Sequence, residues 1–395
     1  MSGGFEQGLR DVIAVESTIC QVDGGLGRLR FRGYDIGELA GRASFEEVIA
    51  LLWDGDLPGE RALRTLRGQM ASVRALPPEV INAMEAYPRA AHPLEALRTA
   101  VSHLSMHDPD GRVTAEEAVR RKCVRLTAQV ATAVAAWRRI REGRSVVPLD
   151  PALSHAENFL HLLDGLPPQS NAAAAMDALL VLHAEHELNA STFAARVVTA
   201  TFSDVHAAVT AALAALKGPR HGGANEDVLA MLEAIGAPER AEGYIGARLA
   251  ARERMSRAER ADPAARIPGW GHPVYTVDDP RAAHLRTIGR RLAEEAGVGA
   301  LADTAESVYR VMKAHTDLPV NVDFFSAVIY RALAIPIDLC TSIFAVARVA
   351  GWCAHIMEQY GGRLIRPRAA YLGPAPRPFV PLAARGPDGA ARASA

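Results

Sequence analysis

Stretches rich in Ala and Leu, spaced as helix faces and almost free of internal breakers, recur along this chain and leave little room for a sheet. Phe45 to Trp53, Ala91 to Leu104, Glu116 to Arg141, Ala172 to His186 and Thr192 to Leu216 all read this way, with apolar residues at three- and four-residue intervals. Alternating β-branched residues gather between Thr18 and Tyr34, around Asp23-Gly24-Gly25, and predict a small N-terminal hairpin. The expected architecture is all-α. Alanine-rich faces that include Ala194, Ala195, Ala207, Ala208, Ala211 and Ala212 permit close helix packing, inside one core or across a dimer seam.

A chain of 395 residues, 49% hydrophobic, is long enough for two domains and a substantial core. Its 44 basic residues against 45 acidic ones leave a formal net charge of -1, which argues against a nucleic-acid binder that relies on global charge. Cys20, Cys123, Cys340 and Cys353 lack metal-type spacing and read as reduced thiols of a cytosolic protein. Met1 to Arg10 is polar and carries no secretory pattern. The most apolar region, Ser326 to Ile356, is interrupted by Arg331, Pro336, Asp338 and Arg348, so two buried helices are expected in place of a membrane span. The Pro-rich segment from Gly373 to Ala395 is expected to be flexible.

Three segments carry chemistry. Gly218-Pro219-Arg220-His221-Gly222-Gly223 sets an imidazole between a turn and the start of a helix-like run, Asp227 to Ile235. The helix dipole biases such a ring towards its neutral form, able to donate to an oxygen that is becoming an enolate; the plain alternative is a solvated loop histidine. Ile267 to Tyr275 holds a second histidine, His272, ahead of Asp279-Pro280-Arg281. Asn321-Val322-Asp323 then opens an apolar helix, where partial desolvation would make Asp323 a base and where an N-cap role is the competing reading. His183 and His186, three residues apart and without the HExxH pattern, make a poor metal site. Gly24-Gly25-Leu26-Gly27 lacks the context of a dinucleotide loop and reads as a turn.

Together GPRHGGANE, GWGHPVY followed by DPR, NVDFFSAVIYRALAIP and HAEHELNASTFAARV resemble the citrate synthase family, which includes 2-methylcitrate synthase. LRFRGYDI and SFEEV near the start, and IFAVARVAGW and RLIRPR near the end, extend the resemblance over nearly the whole chain. It implies a two-domain helical fold, with residues 1–221 and 332–395 forming a large domain and 222–331 a small one. It also implies an acyltransferase that converts the acyl group into an alkyl group on transfer, condensing acetyl-CoA with oxaloacetate in the tricarboxylic acid cycle. By the same resemblance His221, His272 and Asp323 are catalytic, and His186, Arg281, Arg348 and Arg366 hold oxaloacetate, Arg366 from a partner subunit. Backbone around Arg266, Ile267, Pro268, Gly269, Trp270 and Gly271 would meet the adenine of CoA. A cytoplasmic homodimer is implied, with acyl-CoA as co-substrate, no permanently bound cofactor or metal, and neither nucleic acid nor membrane as partner. Propionyl-CoA in place of acetyl-CoA is the alternative within the family, and a catalytically silent ligand-binding or assembly module the alternative outside it. Pro273 stands where relatives often carry Arg, and Thr276 where a basic residue often meets CoA phosphate. NADH regulation is not expected, because the longer N-terminal region of regulated relatives is lacking.

Overall fold

A computed structural model describes residues 7–9, 12–260 and 262–385. The chain forms two units, one comprising Ser17–Ile365 and the other the terminal segments Met1–Glu16 and Arg366–Ala395. In the terminal unit the described residues are mostly extended and exposed, with short 3-10 turns at Gln7–Leu9 and Leu382–Ala384. The rest of the expected signal-free start and of the Pro-rich tail lies outside the described residues.

Within Ser17–Ile365 the hairpin forms as expected. Strands β1 (Cys20–Asp23), β2 (Arg28–Phe31) and β3 (Tyr34–Asp35) pair antiparallel in that order, with Cys20 opposite Phe31 and Asp23 opposite Arg28. All remaining regular structure among the described residues is helical, apart from a single bridge between Trp270 and Val320. Local signals explain many helix ends: Ser44 and Ser154 close capping boxes with Glu47 and Glu157, and Gly55 and Gly165 end the same helices at φ 94° and 80°.

Two expected helices need correction. The run expected over Thr192 to Leu216 is two helices, Ala190–Thr199 and Val205–Leu216. Phe202 turns the chain at φ 60°, and Asp204 caps the second helix by accepting from the Ala207 N–H at 2.9 Å. The helix expected to reach His186 spans Ser170–His183, so His186 lies in the connection beyond it.

Ala195, Ala208 and Ala212 are buried in the core, where the helices Ala190–Thr199 and Val205–Leu216 pack on each other. Helix Cys340–Tyr360 is the post of the fold, packing against Phe45–Asp54, Pro93–Leu104, Glu116–Arg141, Ser170–His183, Ala190–Thr199 and Val205–Leu216. With its leading turn it is long and apolar enough to cross a bilayer, yet 94% of that apolar stretch is buried in protein. Arg196 ties it down from a neighbouring helix: Nε donates to His355 Nδ1 at 2.9 Å, Nη1 donates to Gln359 Oε1 at 3.0 Å, and Nη2 pairs with Glu358. His355 Nε2 completes the network with Glu185 at 3.0 Å.

Candidate active site

Every candidate group except Arg366 lies in the Ser17–Ile365 unit, most of them delivered by a turn or a helix end and Arg348 by the middle of a helix. His221 occupies the turn before helix Ala224–Ile235, as expected, with Gly222 packed so closely on Leu216 that a Cβ there would sit 2.9 Å from the Leu216 Cδ1. The Ser191 N–H, at the start of the next-but-one helix upstream, donates to His221 Nε2 at 3.3 Å, and Ser191 Oγ lies 2.8 Å from the same nitrogen. Asn189 Oδ1, 2.7 Å from Ser191 Oγ, accepts the Ser191 N–H at 3.1 Å, while Trp352 Nε1 donates to Ser191 Oγ at 3.2 Å. The Ser191 N–H is shared between the Asn189 cap and Nε2; on that contact we assign Nε2 as the acceptor, the Ser191 hydroxyl turning towards it, and the ring proton to Nδ1. Burial, reinforced by the Arg348 charge, pushes His221 down to about 4.

The second histidine has the opposite tautomer. His272 Nδ1 accepts the N–H groups of Val274 and Tyr275, both at 3.0 Å, which leaves the proton on Nε2. Burial and then Arg281 hold its pKa at about 4. His186 packs edge-on against His272 with centroids 5.2 Å apart, and its Nε2 meets the Tyr275 hydroxyl at 3.1 Å. Burial first, then Arg281, keeps His186 well below the usual histidine range.

Arg281 follows Asp279, the N-cap of helix Pro280–Glu295, and binds it by two bonds: Nε to Oδ1 at 2.9 Å and Nη2 to Oδ2 at 2.6 Å. Its Nη1 is buried with no acceptor among the described residues. Arg348, buried in helix Cys340–Tyr360, spends Nε on the His183 carbonyl at 2.7 Å and lies over the Phe344 ring at 4.5 Å. Burial lowers it to about 10, still protonated at neutral pH. The charges of Arg281 and Arg348 both act on His186 and Asp323, which places the two guanidiniums around the same groups. Ligand atoms of His186, His272 and Asp279 approach one another within 4.8 Å. Arg281, which already engages both oxygens of Asp279, favours an anion there over a cation. His183 Nδ1 is bonded to the Leu179 carbonyl at 2.8 Å and its ring packs edge-on against Phe344.

Asn321, and not Asp323, is the N-cap of helix Val322–Ala332, its Oδ1 accepting the Asp323 N–H at 3.1 Å. The Asp323 carboxylate is thereby released from capping and accepts no hydrogen bond among the described residues. Burial raises it to about 6, against the lowering effect of Arg281.

The segment Arg266 to Gly271 is stitched to the approach of that helix. Gly269 and Gly271 accept from the Asn321 backbone and side chain at 3.0 and 3.1 Å. Gly269, at φ 80°, packs so tightly that a Cβ would lie 2.7 Å from Phe324 Cδ2. A cavity of about 270 Å³ opens beside the segment, lined in part by Asp227, Tyr244, Arg248, Arg266 and Pro268. Arg366 lies in the terminal unit and is exposed. Sequence reasoning missed Ser191, Asn189, Tyr275 and Asp279. Of these, Asp279 before Pro280 and Asn189 ahead of helix Ala190–Thr199 carry helix-start signals.

A helical protein with paired neutral imidazoles, a desolvated carboxylate and buried guanidiniums defines an enzyme that enolises and transfers acyl groups onto an anionic acceptor. The chain belongs to the citrate synthase family. The family described as "Citrate synthase, C-terminal domain" matches residues 8–368. Citrate synthase 2 of Bacillus subtilis (strain 168) is 44% identical over 383 residues, covering 96% of this chain and 99% of the relative. The protein called 2-methylcitrate synthase 1 in Corynebacterium glutamicum is 38% identical, covering 96% and 98%. Among solved structures, the ternary complex of carboxymethyl coenzyme A and oxaloacetate with citrate synthase from Thermoplasma acidophilum superposes with a TM-score of 0.87 at 31% identity, covering 97% of this chain and all of that one.

Proposed function

We propose that this enzyme condenses acetyl-CoA with oxaloacetate and hydrolyses the resulting citryl-CoA to citrate and CoA. The observation that carries the reading is the pair of neutral histidines with opposite tautomers beside a carboxylate poised at about 6. Asp323 takes a proton from the methyl carbon of acetyl-CoA while His221 Nδ1–H donates to the thioester oxygen, so charge need not accumulate on the enolate. The nucleophilic carbon then attacks the ketone of oxaloacetate. His272, protonated on Nε2, passes its proton to the ketone oxygen as the carbon–carbon bond forms, and water subsequently cleaves the thioester, releasing CoA thiol.

Arg281 and Arg348, with His186, hold the two carboxylates, and the unpartnered Arg281 Nη1 supports an anion beside it because a buried guanidinium donor is costly to leave unpaired. We assign Arg366 to the neighbouring active site of a homodimer. The exposed apolar Ile13, Leu372 and Phe379 of the terminal unit support a partner surface there. The adenine of CoA is assigned to the Arg266–Gly271 backbone, and we assign residues 222–331 to a small domain. The four unpaired cysteines are in keeping with a cytoplasmic, reducing location.

Initial rates of thiol release with acetyl-CoA and with propionyl-CoA, at saturating oxaloacetate, test the assignment. A higher kcat/KM for acetyl-CoA is expected. A preference for propionyl-CoA moves the enzyme to the second reading, favoured by the Corynebacterium relative's name; binding of both substrates without turnover by either thioester points to a silent module.

A further inference from the structure

The glycine-rich turn between β1 and β2 has no part in substrate chemistry, yet it presses on the loop that carries His272. The Asp23 carboxylate closes the turn by accepting the N–H groups of Gly25 and Leu26 at 3.1 and 2.9 Å. Gly24 then offers its carbonyl to the Thr276 N–H at 3.0 Å and to the Thr276 hydroxyl at 3.4 Å. The backbones touch so closely that a Cβ on Gly24 would overlap the Val274 carbonyl oxygen and lie 2.8 Å from its carbon. Gly27, at φ 60°, faces Val277 and Asp278 in the same way, a Cβ there falling 2.8 Å from Val277 Cγ2. By contrast, a Cβ on Gly25 would meet only Asp23 Oδ1, at 3.7 Å. Thr276 is thus turned towards the hairpin.

The turn packs on the Val274–Tyr275 peptide unit, whose N–H is one of the two that fix His272, and hydrogen-bonds the unit after it. His272 Nδ1 is bound by the N–H groups of Val274 and Tyr275, and the Tyr275 hydroxyl reaches His186. Beyond them the loop is anchored separately, with Asp278 accepting from Tyr309, Lys313 and the Val320 N–H. The stretch from 274 to 277 therefore depends on the hairpin for its position. We propose that the Asp23–Gly27 turn is a brace that sets the orientation and Nε2–H tautomer of His272, making Gly24 a positioning residue for the reaction. The inference rests on the reading of His272 as the group that protonates the ketone. Its physical basis is that a displacement of about 1 Å in a catalytic group can cost about 10²-fold in rate.

The two adjacent glycines provide the comparison. Gly24→Ala is expected to lose about 10- to 100-fold in kcat with KM for acetyl-CoA within about threefold, whereas Gly25→Ala stays within about twofold of wild type in both. The 15N resonances of His272, assigned by comparison with a His272→Gln variant, should show the Nε2–H tautomer in the wild type and a tautomer mixture in Gly24→Ala. Equal kcat for the two variants, or an unchanged His272 signal in Gly24→Ala, overturns the brace. Should Gly24→Ala fold poorly, Asp23→Ala loosens the same turn from its exposed side. A kcat loss of about 3- to 10-fold at constant KM is then expected, and no change overturns the proposal. A wild-type protein without turnover on oxaloacetate and acetyl-CoA defeats the assigned reaction, while the tautomer comparison still judges the brace.

Discussion

Burial moves Asp323 and the histidines near it in opposite directions, the carboxylate up and the imidazoles down. The carboxylate sits at about 6 and both His221 and His272 at about 4, each displaced mainly by burial. A base works only when deprotonated, so kcat/KM should fall as pH drops through about 6 and stay level above it; the histidines, already neutral there, add no limb of their own. A pH profile of kcat/KM for acetyl-CoA that stays flat or rises on acidification would take the role of base from Asp323. Asp323→Asn keeps the side chain's shape and removes its basicity, with an expected loss of about 10²–10⁴-fold in kcat. Calorimetric oxaloacetate affinity should remain near wild type in that variant, since the oxo acid is assigned to Arg281, Arg348 and His186. The residues to which we assign the reaction stand in distinctive motifs, His221 and His272 flanked by Gly and Pro and Asp323 at the start of an apolar helix. Their supports are not legible in that way: Ser191 orients His221 from 30 positions away, and nothing local to Asn189-Ala190-Ser191 marks that duty.

The long apolar helix Glu116–Arg141 and the clearly capped Phe45–Asp54 are nearly where residue spacing puts them. The break at Thr199–Asp204 escapes that reasoning because alanine suits a helix on both sides of it, and the decision falls to one capping carboxylate and a left-handed Phe202. Packing between elements is still less legible. Gly351, in the middle of helix Cys340–Tyr360, looks like a helix-weakening residue. A Cβ there would overlap the Ala184 carbonyl and the Glu185 carboxylate, in the connection that leads to His186. Gly351→Ala is therefore expected to destabilise the protein by about 1–3 kcal/mol, because overpacking outweighs the gain in helix propensity. Urea unfolding at constant m-value measures it, and a stabilised variant would mean that the two elements are free to separate.

For the molecule as a whole, the shared-site dimer makes a prediction that no single chain can. Asp323→Ala and Arg366→Ala proteins, each inactive alone, should regain activity when mixed under conditions of subunit exchange, because each heterodimer has one site bearing both lesions and one bearing neither. Verified heterodimers without recovery would assign Arg366 to its own subunit. The position of helix Cys340–Tyr360 has a further consequence, for synthesis. The Thr18 N–H, just before the first strand, donates to Glu358 at 2.9 Å, and Trp53 donates to the Ala350 carbonyl at 2.9 Å. Seven earlier helices lean on a post that leaves the ribosome after all of them. Until it emerges, their alanine-lined faces have nothing to close upon, so the nascent chain must wait, open and adhesive, for a segment made more than three hundred residues after the strand it will secure.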